Sequence, residues 1–283
     1  MSIQADIEVS YDVGNEFFRL WLDDRMNYTC ALWEHGDDLE TAQRRKLAYL
    51  SELAGTGPGN SVLDIGCGWG ANLEYQSLTR GVARAYGITL SPAQADEIRA
   101  RQIPRTTVEL ADYREFEPDE SFDAAMCICM MEHIATPQDV WTGVNLRRYH
   151  DFFRCVHRWT RPGARFALQV ILRDRAPRDR DDLAEVHWAT HHIFPGGISL
   201  RLEDVIKTVD PYWEVVTVAT RRSHYEHTCA EWQQRLRAHE TEIRRRWGDR
   251  VFTDYDRYLS TCRTAFQRRY QSLAQFGLRR LEV

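Results

Sequence analysis

Lysine is nearly absent from this sequence, since Lys46 and Lys207 are the only lysines in a basic complement that is otherwise arginine. The chain also lacks an uninterrupted apolar run of about 18 residues, the length that a transmembrane helix needs, so no membrane span is predicted. Its seven cysteines form no CxxC pair and it has no HExxH motif. We therefore predict neither a disulfide framework nor a metal site. Residues 1–8 lack the basic and apolar segments of a secretory signal, so we expect a cytoplasmic protein.

The 283 residues are 43% hydrophobic and 28% charged, a composition that is typical of globular proteins and argues against disordered or collagen-like chains. The length fits one large domain with an elaboration. A net charge of −5 hides an asymmetry: residues 1–150 hold 24 acidic and 13 basic side chains, whereas the remainder hold 18 and 24. We interpret the arginine content as a compositional bias and predict no nucleic-acid partner.

Short apolar segments alternate with stretches that favour helix. Strands are predicted at residues 61–65, 82–88, 106–110, 122–130 and 165–172, with a final strand at 274–281. Helices are predicted between the strands, for example at 71–79 and from Ser91-Pro92 onward. This alternation indicates a mainly parallel sheet, in which ligands bind beyond the carboxyl ends of the strands. The segments expected to meet there are Asp64 to Gly70, Thr89 to Ser91, Asp112-Tyr113 and Glu132-His133.

The first predicted strand ends in the glycine turn Gly66-Cys67-Gly68-Trp69-Gly70. Glycines at these spacings let a backbone approach a ligand closely, which favours a nucleotide or nucleoside site, although a tight turn without a ligand stays open. The dinucleotide fingerprint would place glycine at position 71, where the chain has Ala71, and no acidic residue ends the second strand. A nicotinamide dinucleotide is therefore the less favoured ligand.

Three further segments flank this core. Residues 8–50 are predicted to form helices rich in aromatic side chains, including Tyr11 and Phe17, so that residues 1–50 would cap the crevice and 51–283 form the main domain. Residues 173–185 are almost entirely charged and predict a solvated loop or lid, within a lid-like insertion at about 173–200. Helices are expected at 226–247 and 251–272.

Several motifs together carry a family resemblance. They are VLDIGCGWG (62–70), YGITLSPAQ (86–94), ADYREF (111–116), MMEHI (130–134), IFPGG (193–197), HYEHTCAEW (224–232) and, most specifically, YDVGNEFFRLWLDDRMNYTCALWE (11–34). In order and approximate spacing the chain resembles the cyclopropane-fatty-acid and mycolic-acid cyclopropane synthase family, which are class I methyltransferases using S-adenosylmethionine. The resemblance implies an α/β, Rossmann-like, seven-stranded and mostly parallel sheet with helices on both faces, an N-terminal helical cap and a lid insertion.

The resemblance also implies a site for S-adenosylmethionine. The glycines would back its methionine part, Thr89 and Gln94 would lie near ribose and adenine, and Tyr28 would close over the sulfonium. The full implied set of cofactor-binding residues is Tyr28, Asp64, Gly66, Gly68, Gly70, Thr89, Leu90, Gln94, Asp112 and Tyr113. An aromatic face and carboxylates are suitable surroundings for a sulfonium cation.

Members of the family methylate an alkene carbon, form a carbocation that loses a proton, and hold a bicarbonate ion thought to accept it. The matching positions here are Cys30, Glu132, Ile171 and Tyr225. Where the family has histidine in the fifth strand, this chain has Gln169, whose amide can donate a hydrogen bond but cannot carry a proton. Bicarbonate is therefore an expected but weakened ligand. An insertion at 135–148, beside the acceptor pocket, favours a specialised acceptor.

The leading expectation is thus transfer of a methyl group, or of a methylene group that forms a cyclopropane, to an alkene carbon of a specialised metabolite or lipid. The alternative left open is an O- or N-methyltransferase of a small metabolite, with Glu132 or His133 as the base. The acceptor would be a small molecule or acyl chain with an alkene. A homo-oligomer is compatible with the sequence, which does not decide the point.

Overall fold

The computed structural model describes residues 13–193 and 196–283. Seven strands form one sheet in the order β3-β2-β1-β4-β5-β7-β6, and β7 runs antiparallel to both of its neighbours while the other pairs are parallel. The strands are β1 Ser61–Ile65, β2 Arg84–Thr89, β3 Thr106–Leu110, β4 Phe122–Ile128, β5 Thr160–Arg173, β6 Trp213–Thr220 and β7 Gln271–Arg280. The predicted α/β class with a mostly parallel seven-stranded sheet is confirmed.

Helices cover both faces of the sheet. They are α1 Asn15–Arg19, α2 Leu39–Ala54, α3 Ala71–Glu74, α4 Pro92–Ala100, α5 Pro137–Thr142, α6 Asn145–Trp159, α7 Arg180–His192, α8 Leu202–Thr208, α9 Arg222–Ala238, α10 Glu240–Trp247 and α11 Asp249–Gln267. Helix α3 continues as a π-helical turn over Tyr75–Thr79. Among the described residues, no helix combines the length and apolarity that spanning a lipid bilayer requires.

Three predicted elements differ from the structure. The helix expected at 251–272 ends at Gln267, and the chain turns into β7 at Gln271, without a glycine or proline to mark the change. The helix expected at 226–247 is two helices that meet at His239. The prediction of a charged loop at 173–185 is wrong for the second half of that segment, where helix α7 begins at Arg180. Asp179 caps this helix by accepting hydrogen bonds from two backbone N–H groups.

The N-terminal part contains less helix than expected. Between α1 and α2 the chain is irregular, and its buried aromatic rings pack on the C-terminal helices, with Trp21 5.9 Å from Trp232 between ring centroids. The predicted boundary at residue 50 falls inside α2. Tyr11, the start of the N-terminal motif, and two residues of the IFPGG motif lie outside the described residues. This segment therefore packs onto the C-terminal helices rather than standing apart.

Candidate functional site

The loops that follow β1, β2, β3 and β4 line a single cavity, which we call the glycine-turn cavity. Helix α2 and the irregular segment before it close its other side through Lys46 and Tyr28. Nine of the ten predicted cofactor-binding residues line this cavity: Tyr28, Asp64, Gly66, Gly68, Thr89, Leu90, Gln94, Asp112 and Tyr113. The parallel strand order brings these distant positions together, as expected at the carboxyl ends of such strands.

The three glycines of the turn have different roles. All three have positive φ angles, between +54° and +82°, which side chains other than glycine adopt at a cost. A Cβ at Gly66 would lie 2.7 Å from Cγ of Met130, whereas a Cβ at Gly68 would meet no described heavy atom within 4 Å. Gly70 does not line the cavity, because it precedes helix α3 and packs against Ile98. Gly68 therefore leaves open space at the turn.

Asp64 and Lys46 are buried charged groups beside the turn. The Asp64 atom Oδ1 has no hydrogen-bond partner among the described residues, and burial raises the pKa of this carboxyl to about 7. The Lys46 ammonium donates hydrogen bonds of 2.9 Å to Oδ1 of Asn27 and 3.1 Å to Oγ1 of Thr29. Burial lowers the pKa of Lys46 to about 8, although nearby Asp23 opposes the shift.

Sequence reasoning missed Lys46. Its position gave a usable signal, because it is one of only two lysines and falls on the face of α2 that also carries Ala42, Leu39 and Leu50. Those residues recur at the spacing of one helix face, so a lysine in that register is expected to be buried. A buried lysine needs polar partners, which the irregular segment supplies.

Other polar groups of the cavity are fixed by neighbours. The Thr89 hydroxyl and the Gln94 amide oxygen are 2.8 Å apart, and the Gln94 backbone N–H donates to the Ser91 hydroxyl that caps helix α4. The Asp112 carboxylate accepts hydrogen bonds from Arg114. Partial burial would raise the pKa of Asp112, but the Arg114 hydrogen bonds outweigh it and lower the pKa. Hydrogen bonds to neighbouring residues thus fix the positions of Thr89, Gln94 and Asp112.

A second cavity of about 440 Å³ adjoins the first, and Tyr28, Cys129 and His133 line both. We call it the aromatic cavity. Helices α9 and α11 supply much of its wall, including Tyr225, whose ring stacks on Phe266 with centroids 4.4 Å apart. A volume in this range suits a ligand of a few dozen atoms at most. The shared wall places any ligand of one cavity beside a ligand of the other.

Glu132 lines the aromatic cavity from a short 3₁₀ helix that follows β4. Its side chain is buried, and Oε1 accepts a 2.6 Å hydrogen bond from the Ile171 backbone N–H. The other oxygen, Oε2, has no partner among the described residues. Burial raises the pKa of Glu132 to about 7, against the opposing effect of the Ile171 hydrogen bond. Such a group changes charge near neutral pH and can exchange a proton there.

Two of the predicted catalytic residues line neither cavity. The Gln169 amide oxygen accepts a 2.7 Å hydrogen bond from Gln275, and its amide NH₂ lies 3.5 Å from Sγ of Cys129. Cys30 is buried, its thiol is 3.2 Å from the Ala31 carbonyl oxygen, and burial raises the pKa of that thiol. The other three predicted catalytic residues, Glu132, His133 and Tyr225, do line the aromatic cavity.

Comparisons with known proteins identify the family of this chain. Residues 2–276 match the model of the mycolic acid cyclopropane synthetase family. The cyclopropane-fatty-acyl-phospholipid synthase of Escherichia coli K12 is 30% identical over 260 residues, which is 92% of this chain and 63% of that protein's length. The chain thus spans less than two thirds of that relative.

Solved structures give the same result over the whole chain. The cyclopropane synthase MmaA2 from Mycobacterium tuberculosis superposes with a TM-score of 0.89 at 28% identity, covering 98% of both chains. The mycolic acid cyclopropane synthase CmaA1, complexed with SAH and CTAB, superposes with a TM-score of 0.87 at 27% identity over the same fractions. The fold is that of class I methyltransferases, and the chain belongs to the mycolic acid cyclopropane synthetase family.

Proposed function

We propose that this protein is an S-adenosylmethionine-dependent methyltransferase that transfers a one-carbon group to an alkene carbon. The observation that carries the proposal is the junction of the two cavities at Tyr28, Cys129 and His133. A donor in one cavity and an acceptor in the other would meet there, with Glu132 nearby on the acceptor side. Relatives named as cyclopropane synthases support this reaction class.

The residues of the glycine-turn cavity fit S-adenosylmethionine. Gly68 leaves open space at the turn. Oδ1 of Asp64, which has no hydrogen-bond partner among the described residues, can accept a hydrogen bond from a polar group of the ligand. When bound, S-adenosylmethionine supplies an electrophilic methyl group on a sulfonium. Thr89, Gln94 and the remaining lining residues would hold it, and the SAH complex of CmaA1 supports this assignment.

The aromatic cavity suits the acceptor side of the reaction. The faces of Tyr28 and Tyr225 stabilise the positive charge that appears on one alkene carbon when the other carbon of the double bond gains a methyl group. Glu132 accepts the proton at Oε2, an atom to which no described residue bonds. That proton leaves a carbon next to the cation, which restores a double bond, or leaves the transferred methyl group, which closes a cyclopropane. The Ile171 N–H, 2.6 Å from Oε1, holds the carboxylate in a fixed orientation.

The residues expected around bicarbonate fit that ion only in part. Glu132, Ile171 and Tyr225 line the aromatic cavity, but Gln169 and Cys30 do not. The Gln169 amide oxygen is engaged by Gln275 in the strand beside it. We therefore propose that Glu132, and not bicarbonate, accepts the proton.

We also propose that residues 1–50 act as a cap and that residues of the 173–200 segment act as a cover on the acceptor side. Among the described residues, the cap contributes Tyr28 and Lys46 to the glycine-turn cavity. The segment contributes Arg173, Ala189 and Ser199 to the aromatic cavity. The cap thus lines the donor side and, through Tyr28, the junction with the acceptor side, whereas the 173–200 segment lines the acceptor side alone.

S-adenosylmethionine carrying a trideuterated methyl group tests the proposal. The protein is incubated with it and with a panel of alkene lipids and terpenoids, and products are identified by mass spectrometry. A methylated carbon that keeps three deuteriums indicates methyl transfer, and loss of one indicates a cyclopropane or methylidene. A product labelled only on oxygen or nitrogen, or no labelled product from any alkene, would overturn the proposal. Glu132→Gln is the matched variant and should form no labelled product.

A further inference from the structure

One part of the wall of the aromatic cavity is basic. Arg173 and Arg175 line it, together with Ser199. The three residues lie where β5 leaves the sheet, and we call them the arginine end. Both arginines are exposed, and they lie beside a cavity wall that is otherwise largely apolar and aromatic.

Neighbouring carboxylates do not neutralise these two arginines. Asp174 forms its ion pair with Arg269, and Asp182 pairs with Arg268. Within the part of the chain that the structure describes, neither Arg173 nor Arg175 forms an ion pair. The Arg175 Nε–H donates a 2.9 Å hydrogen bond to a backbone carbonyl oxygen, which leaves its charge in place. The arginine end therefore carries two uncompensated positive charges.

Backbone hydrogen bonds hold the arginine end in place. The Arg173 N–H donates to the Leu200 carbonyl oxygen at 2.7 Å, and the Arg175 N–H donates to that of Arg269 at 3.2 Å. The Ser199 hydroxyl accepts a 3.2 Å hydrogen bond from Gln271, so its own O–H remains available to donate. These bonds fix the backbone of the arginine end, from which the exposed side chains of Arg173 and Arg175 can reach an anion.

The distance from the arginine end to Glu132 follows from strand geometry. Ile171 donates its N–H to Glu132, and Arg173 lies two residues further along β5. Two residues of a strand span about 7 Å, and side chains two apart point to the same face. An anion bound by Arg173 would therefore lie a short distance from the proposed proton acceptor.

We propose that the acceptor is an amphiphilic alkene whose anionic head group, a carboxylate or a phosphate, binds to Arg173, Arg175 and Ser199. This inference rests on the proposed function, and it names the acceptor class for the same site. The reacting alkene lies close to the head group, because the arginine end and Glu132 are close along β5. A long neutral chain would leave the arginines without a partner.

Direct binding tests this assignment without methyl transfer. The full chain, saturated with S-adenosylhomocysteine, is titrated by calorimetry with octyl phosphate, octanoate and 1-octanol, which share one alkyl chain. Both anions should bind at least about tenfold more tightly than 1-octanol, since hydrogen bonds to charged groups are strong. A larger gain for octyl phosphate identifies a phosphate head, a larger gain for octanoate identifies a carboxylate, and equal gains mean that the site accepts either anion.

Matched variants assign the preference to these side chains. In Arg173→Gln/Arg175→Gln the anions should bind within about threefold of 1-octanol, whose own affinity should not change. Arg178→Gln is the control, because Arg178 is an exposed arginine on the same segment and does not line the cavity. Equal binding of the three probes, no binding of any, or a preference that survives the double variant would overturn the inference. An anion preference without labelled product would refute the proposed function alone.

Discussion

Glu132→Gln should abolish one-carbon transfer and, at alkaline pH, make the protein more stable. The substitution keeps the size of the side chain and the oxygen that accepts from the Ile171 N–H. It removes the negative charge that the buried, unpartnered Oε2 must carry when the carboxyl ionises. Loss of activity together with a gain in stability separates a residue kept for chemistry from one kept for packing.

The size and sign of the effect follow from the pKa. Burial raises the pKa of Glu132 to about 7 from its usual 4.5. Between these values the folded state holds a proton that the unfolded chain has released, so stability falls as pH rises through this window. The full loss above pH 7 is about 3 kcal/mol, at about 1.4 kcal/mol for each pKa unit. The Gln variant lacks this carboxyl. Its free energy of unfolding relative to that of the wild type should therefore increase by roughly 2–3 kcal/mol between pH 5 and pH 8.

Urea unfolding of both proteins at pH 5 and pH 8 measures the difference. Asp64 also has a raised pKa, but it is present in both proteins and cancels in the comparison. Glu115→Gln is the control, because Glu115 is an exposed carboxylate away from both cavities. In the wild type, transfer should increase as pH rises through about 7. Parallel stability curves for wild type and Glu132→Gln would refute the argument.

Four further substitutions test the glycine-turn cavity. Gly68→Ala should weaken S-adenosylhomocysteine binding at least tenfold in calorimetry and lower the free energy of unfolding by about 1–2 kcal/mol. Gly66→Ala should lower the free energy of unfolding by roughly 2–4 kcal/mol, because its Cβ would also clash with Met130. Lys46→Met should lower the free energy of unfolding by about 1–3 kcal/mol, since Asn27 loses a buried hydrogen-bond donor. Asp64→Asn should raise stability at pH 8, as measured by urea unfolding, while weakening the same ligand.

Much of the sheet could be predicted because its central strands are short, apolar and bounded by turns. The segments 61–65 and 106–110 match β1 and β3 residue for residue. Strand β6 was missed although it alternates, since one of its faces exposes Val216 and Val218 and it lies at the sheet edge. Predicting the turn between α11 and β7 was harder, because Arg268 and Arg269 carry no turn signal.

The site could be predicted wherever topology alone decides it. The parallel strands β1, β2 and β3 deliver the segments that follow them to one place, so eight of the nine cofactor positions converge without any knowledge of packing. The ninth, Tyr28, comes from the irregular segment before α2. Gln169 was harder, because its surroundings depend on β7, which comes more than 100 residues later. The antiparallel register places Gln169 opposite Gln275, and their side chains bond to each other. Sequence spacing within β5 carries no information about that partner.

Four charged groups that line the two cavities follow the charge asymmetry between the two parts of the chain. Asp64 and Glu132, both from the acidic part, have carboxyls whose pKa burial raises to about 7. Arg173 and Arg175, from the basic part, line the aromatic cavity and not the glycine-turn cavity. If the donor carries a positive sulfonium and the acceptor a negative head group, these charges orient both ligands. The head group is drawn to the arginines and repelled by ionised Glu132, so the alkene end is the part that meets the cofactor.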